Sequence, residues 1–121
     1  MQMIPIGRSM FARMLLCAAA LAPALAGAQA YPGKPVKVLV PYVAGGNADS
    51  ITRVVTDALS RALNGQFVVE NKAGAGGAIA AETVAKASPD GYTLFMTTLP
   101  QLAILPHIQK VAYDPLKDFS P

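Results

Sequence analysis

Two glycine clusters are the residues whose type and spacing point to ligand chemistry. Gly45-Gly46 follows a short β-branched run and leads straight into a helical pattern. Glycine lets the backbone approach a ligand closely and present its N–H groups. A helix start adds partial positive charge, so such a turn suits an anion. The same pair also serves as a plain tight turn between strand and helix, and spacing alone does not separate the two roles. Gly74, Gly76 and Gly77 form the second cluster. They make no Walker loop, because no Gly-Lys-Ser/Thr follows. The dinucleotide fingerprint also fails, since Ile79 stands three places after Gly76 and no Gly-x-Gly follows the first strand. Catalysis has less to work with. His107, the one histidine, sits beside Pro106 and reads as a surface or packing residue. Asp49 reads as a helix cap or first-turn acid. Ser50 and Ser60 lie in no Gly-x-Ser-x-Gly elbow, and no His, Asp and Glu cluster has metal-ligand spacing. No catalytic residue, metal or cofactor is expected.

Alternating strands and helices must position these glycines. Val36 to Val40 is a β-branched run that ends at Pro41. A helical pattern follows, in which Ile51, Val54, Val55, Ala58, Leu59, Ala62 and Leu63 share one face. Asn47 or Asp49 starts it and Asn64-Gly65 ends it. Asp49–Arg53 and Asp57–Arg61 are i,i+4 pairs assigned to the solvated side. Phe67 to Glu70 reads as a second strand, and Ile79 to Ala87 as a second, Ala-rich helix with Glu82–Lys86 as its pair. Ser88-Pro89-Asp90-Gly91 is a turn. Tyr92 to Thr97 reads as a third strand, Pro100 to Gln109 as a short helix interrupted by Pro106, and Val111 to Pro121 as irregular or extended.

This β-α-β-α-β order predicts an α/β fold, a parallel sheet with right-handed crossovers. Strand order 2-1-3 puts the switch point between the first and third strands, where ligands bind beyond the carboxyl ends. Tyr42 to Asp49 and Thr97 to Gln101 would line that crevice, with Ala73 to Gly77 on the same edge.

Composition separates the chain into two parts. It is 121 residues long, 53% apolar and 14% charged, with a net charge of +3 and one cysteine. Much of the apolar excess lies in residues 1–30, which hold Arg8 and Arg13 and no acid. Arg8 and Arg13, then the apolar stretch Met14 to Leu25, then Ala28-Gln29-Ala30 follow the three-part pattern of an export signal cut near Ala30. Cutting before Gln29 is the near alternative. Met14 to Gly33 is free of charge and long enough to span a membrane, but Pro23, Gly27, Gln29 and Pro32 fall inside it and disfavour an anchor. Cys17 falls inside the signal, so the mature chain has no thiol. Without clustered Lys and Arg, no nucleic-acid partner is expected.

Short motifs in a fixed order then carry a family resemblance. They are Tyr31-Pro32-Gly33-Lys34-Pro35-Val36, Pro41-Tyr42-Val43-Ala44-Gly45-Gly46-Asn47-Ala48-Asp49, Glu70 to Gly77, Ser88-Pro89-Asp90-Gly91-Tyr92-Thr93 and Tyr113-Asp114-Pro115-Leu116-Lys117-Asp118-Phe119. With them, residues 31–121 resemble the substrate-binding proteins of tripartite tricarboxylate transporters, the Bug family. Val43-Ala44 stands where that family usually has Pro or another small turn residue, and Ala73 where Pro is usual, but both leave the glycines intact. The resemblance implies a type II periplasmic binding-protein fold of two α/β lobes, of which residues 31–121 would form the N-terminal part of the first. It implies a non-catalytic, monomeric periplasmic protein that binds a small organic carboxylate. Membrane permease subunits or a sensor kinase would be its partners. The residues expected at the ligand are Tyr42, Gly45, Gly46, Asn47, Gly76, Gly77, Thr98 and Gln101. Two other readings are a truncated, non-functional remnant and a small exported α/β enzyme that uses the Gly45-Gly46 loop as an anion hole, with Asp49 and His107 as its candidate residues.

Overall fold

The computed structural model describes residues 30–121. The export-signal reading falls on residues that lie, Ala30 apart, outside this range. Three parallel strands form the sheet: β1 (Val36–Val40), β2 (Phe67–Asn71) and β3 (Thr93–Phe95), in the order β2-β1-β3. Val36 pairs with Phe67 and Val38 with both Val69 and Leu94. β1 is central, and Val36, Val38, Leu39 and Val40 are buried in it. Strands covered on both faces are rich in such apolar residues, and the exposed Lys37 is the one polar break in this run. The expected topology and central strand are therefore present, with β2 one residue longer than expected and β3 shorter.

Helix α1 (Asn47–Leu63) connects β1 to β2, and α2 (Ala78–Ala85) connects β2 to β3. Asn64 closes α1 in the left-handed conformation, as the Asn-Gly pair foretold. The two crossovers run in opposite directions across the sheet, so right-handedness puts the helices on opposite faces. α1 packs chiefly on β2, and α2 on β3. Beyond β3, a π-helical stretch (Pro100–Ile104) leads into the single-turn helix α3 (Leu105–Ile108). The break falls at Leu105, and Pro106 sits within the first turn of α3, where a missing N–H costs nothing.

The orientation of α1 differs from the periodicity reading. Asp49, Thr52 and Thr56 are its buried residues, whereas Ile51, Val54, Val55 and Leu63 are exposed. The buried threonines satisfy themselves locally: Thr52 donates to the Ala48 carbonyl (2.6 Å) and Thr56 to the Arg53 carbonyl (3.0 Å). Asp49 is fixed by partners on the β1 and β2 loops, and these polar bonds set the helix's rotation against its apolar stripe. Among the described residues, Asp49–Arg53 forms an ion pair, while Asp57–Arg61 and Glu82–Lys86 do not.

The chain's last segment is irregular but packed. Tyr113 joins Ala78, Ala81 and Leu105 in a buried cluster, flanked by Phe95, Leu102 and Phe119. Phe119 stacks on Phe95 at 5.9 Å and meets Tyr113 edge-on at 5.7 Å.

At the opposite end of the sheet, Tyr31 to Lys34 docks on the turn before β3. The Tyr31 hydroxyl donates to the Gly91 carbonyl (2.7 Å), and Gly33 N–H donates to the Tyr92 hydroxyl (3.0 Å). Lys34 pairs with Asp90 at 3.0 Å and lies over the Tyr92 ring. Pro32 fills the space where Gly65 lacks a side chain, and a Cβ there would clash with its Cγ and Cδ. Gly65→Ala is therefore expected to destabilise by about 1–3 kcal/mol through overpacking. Pro32→Ala in the same chain should recover most of that loss. Urea denaturation of the four members of this double-mutant cycle measures both.

Candidate functional site

The carboxyl ends of the strands deliver three loops to one edge, and one side chain joins them. Gln101 is fully buried in the π-helical stretch. Its Nε2 donates to the Gly76 carbonyl (2.9 Å) on the loop after β2 and to the Tyr42 hydroxyl (3.1 Å) on the loop after β1. Its Oε1 accepts from the Thr98 N–H (3.2 Å) and the Thr98 hydroxyl (2.9 Å) on the loop after β3. The Thr97 hydroxyl approaches the same oxygen at 3.4 Å. Tyr42 and Thr98 meet directly, hydroxyl to hydroxyl, at 2.6 Å. The buried Tyr113 hydroxyl donates to the Gln101 backbone carbonyl, which ties the packed tail to the same point. Burial pushes the Tyr113 phenol's pKa up, with the Glu82 charge adding to the shift.

A second network holds the loop between β1 and α1. Asp49 Oδ2 accepts from Gly45 N–H (2.8 Å) and from Arg53 Nε (3.0 Å). Asp49 Oδ1 accepts from Asn71 Nδ2 (2.9 Å), which is also 3.1 Å from the Tyr42 carbonyl. Arg53 completes the circuit by donating to Asn71 Oδ1 at 3.2 Å. Asp49 thus reaches back to the loop that precedes its own helix. The N-cap itself, Gly46, makes no side-chain bond. The Arg53 hydrogen bond, then the Gly45 N–H and the Asn71 amide, hold the Asp49 carboxyl well below the usual carboxylate range, against the opposing effect of burial.

The eight residues singled out from sequence fall on this edge in two groups. Tyr42, Gly46, Asn47, Gly76 and Thr98 are at least partly accessible at the loop mouths. Gly45 is exposed, but its N–H is committed to Asp49. Gly77 is buried and donates its N–H to the Gly74 carbonyl (2.8 Å). Gln101 has both amide atoms committed inside the protein. Gly77 also makes room for Gln101: a Cβ on it would lie 2.5 Å from Nε2, and its φ of +97° is left-handed. Ala75 beside it is left-handed too, at φ 47°. Sequence reasoning did not mark Asn71, Arg53 or Tyr113 as supports. The i,i+4 spacing of Asp49 and Arg53 was the available signal, but it was assigned to the wet side. His107 is exposed on α3 and lines a separate open groove with Leu102, Lys110 and Leu116. It does not join Asp49, whose oxygens have no hydroxyl partner.

The sequence of residues 51–121 matches the model of the tripartite tricarboxylate transporter family receptor. The chain belongs to this family. A UPF0065 protein from the TAR-I ttuE-ttuC' intergenic region of Agrobacterium vitis is 42% identical over 113 residues, covering 93% of this chain and 32% of the relative. Among solved structures, MatC from Rhodopseudomonas palustris with bound malate is 40% identical with a TM-score of 0.70, over 75% of this chain and 31% of that one. An R. palustris protein with adipate is 38% identical with a TM-score of 0.53, over 54% of this chain and 22% of that one. The chain thus spans about a third of the length of the curated relatives it matches.

Two outcomes follow from the networks. Gly77→Ala should cost about 2 kcal/mol or more, from left-handed strain plus displacement of the Gln101 amide. Gly45→Ala, where a Cβ meets nothing within 4 Å, should cost only the conformational part, about 1 kcal/mol. Chemical denaturation ranks them. A carboxylate held below its unfolded pKa lends full stability above that value and loses it as pH falls. The Asp49 contribution should therefore fade below about pH 4. Asp49→Asn should be less stable at neutral pH and show a shallower fall of Tm with acidification, as read by calorimetry across that range.

Proposed function

We propose that this chain supplies one wall of the ligand cleft in an exported receptor that binds a small organic carboxylate and catalyses nothing. The observation that carries this reading is the convergence of three loops on Gln101 at the carboxyl edge of a parallel sheet, where such folds bind ligands. Malate and adipate, named with two relatives, are both carboxylates and support that ligand class. Tyr42, Gly46, Asn47, Gly76 and Thr98 are the contact residues in this reading. Gly45, Gly77 and Gln101 shape the loops that present them. The opening N–H groups of α1 lack intrahelical partners and are suited to carboxylate oxygens.

The same reading has residues 1–30 direct export and removed near Ala30, leaving a monomer in the periplasm. A second α/β lobe would complete the cleft, and the loaded receptor would hand its ligand to permease subunits of a tripartite transporter or to a sensor kinase. The Asp49 carboxylate is committed to Gly45, Arg53 and Asn71, and His107 lines a separate groove, which favours binding over turnover.

Ligand linkage provides the test. A carboxylate at about a hundred times its Kd should add about 2.7 kcal/mol to the stability of the full-length mature protein. Thermal unfolding against malate, adipate, citrate and aromatic acids is expected to show a rise in Tm with at least one. No rise with any of them at millimolar concentration would overturn the proposal.

A further inference from the structure

The hydrogen bonds around Gln101 close into a ring, and the closure fixes where each proton lies. The Gly76 carbonyl needs a donor and the Thr98 N–H needs an acceptor. Those two backbone groups permit only one orientation of the amide, with Nε2 toward Tyr42 and Oε1 toward Thr98. Nε2 therefore donates to the Tyr42 oxygen at 3.1 Å. The Thr98 hydroxyl lies 2.9 Å from Oε1. An amide oxygen brings no proton to that contact, so Thr98 must supply it. A hydroxyl has only one proton. With that of Thr98 spent on Gln101, the 2.6 Å contact between Tyr42 and Thr98 carries the proton of Tyr42. Each hydroxyl in the ring donates once and accepts once, and bonds linked head to tail in this way strengthen one another.

The ring leaves lone pairs, not protons, for anything that enters from solvent. Thr98 is exposed and Tyr42 half-buried, and the contact between their hydroxyls lies at the exposed edge. A bare carboxylate oxygen placed against them finds no proton to share. A ligand O–H or N–H finds acceptors whose orientation is already fixed.

We infer that the Tyr42–Thr98–Gln101 ring reads a hydrogen-bond donor on the ligand, so that the receptor selects carboxylates bearing a hydroxyl or ammonium group over unsubstituted ones. The inference rests on the carboxylate reading above and adds the ligand's second recognised group. Succinate, malate and aspartate differ in one substituent, a hydrogen, a hydroxyl or an ammonium. Titration calorimetry of the full-length receptor should find malate or aspartate bound about tenfold more tightly than succinate, the ratio that one net hydrogen bond gives. The comparison of malate with aspartate tells which donor the ring prefers. Thr98→Val keeps the side chain's shape, removes the exposed acceptor and frees the Tyr42 proton to point outward. Its preference over succinate should shrink to about twofold or reverse. A merely structural role for Thr98 would weaken all three ligands together and preserve the ratio, and that result would overturn the inference. So would equal or tighter binding of succinate to the unmodified receptor, which leaves the carboxylate reading standing. Failure of all three to bind would remove the carboxylate reading and this inference with it.

Discussion

A single buried amide governs the carboxyl edge of this sheet. Gln101 has no exposure, so each of its polar atoms must be satisfied within the protein or cost the full penalty of desolvation. The groups that satisfy it come from three separate loops: Tyr42, Gly76 and Thr98. The demand of one side chain for partners thus becomes a constraint on the relative position of all three. The surroundings are fitted to it. Gly77 must be glycine for the amide to lie where it does, and the Tyr113 hydroxyl holds the backbone of Gln101 from the other side.

The second constraint is the Asp49 circuit, which meets the first at Tyr42. Asn71 at the end of β2 holds the Tyr42 carbonyl, while Gln101 and Thr98 hold its hydroxyl. Tyr42 is therefore fixed at both ends by different strands' loops. The same circuit explains why α1 sits with its polar face inward. Three hydrogen bonds to a buried carboxylate, two of them from uncharged amide groups, hold that face of the helix against the loops after β1 and β2. The apolar stripe of Ile51, Val54 and Val55 is left on the surface as a consequence.

Much of the architecture was legible because local rules were strong. Val36 to Val40 had few alternatives to a buried strand, and Asn64-Gly65 marked the end of α1 through the left-handed tolerance of asparagine. The loops at the carboxyl edge followed from strand order. Less legible were the rotation of α1, the π-helical form of Pro100–Ile104 and the packed tail. Hydrophobic periodicity finds a helix's apolar face, but it does not say whether that face meets the sheet. Here polar partners far apart in sequence settled the matter, since Asp49 and Asn71 are joined only once β1 and β2 pair.

The sequence by itself determined the alternation of elements, the family resemblance and the set of residues at the carboxyl edge, because these depend on local spacing and on motif order. Tertiary structure decided what those residues do. Gln101 looked like a ligand contact from its loop position, yet burial turned it into the internal link of the edge. Gly77 looked like an N–H donor for an anion, yet it gives its N–H to Gly74 and its missing side chain to Gln101. The physical reason is that a hydrogen-bonding group serves a ligand only with the capacity left after its neighbours are satisfied. That remainder is set by groups brought together from distant parts of the chain.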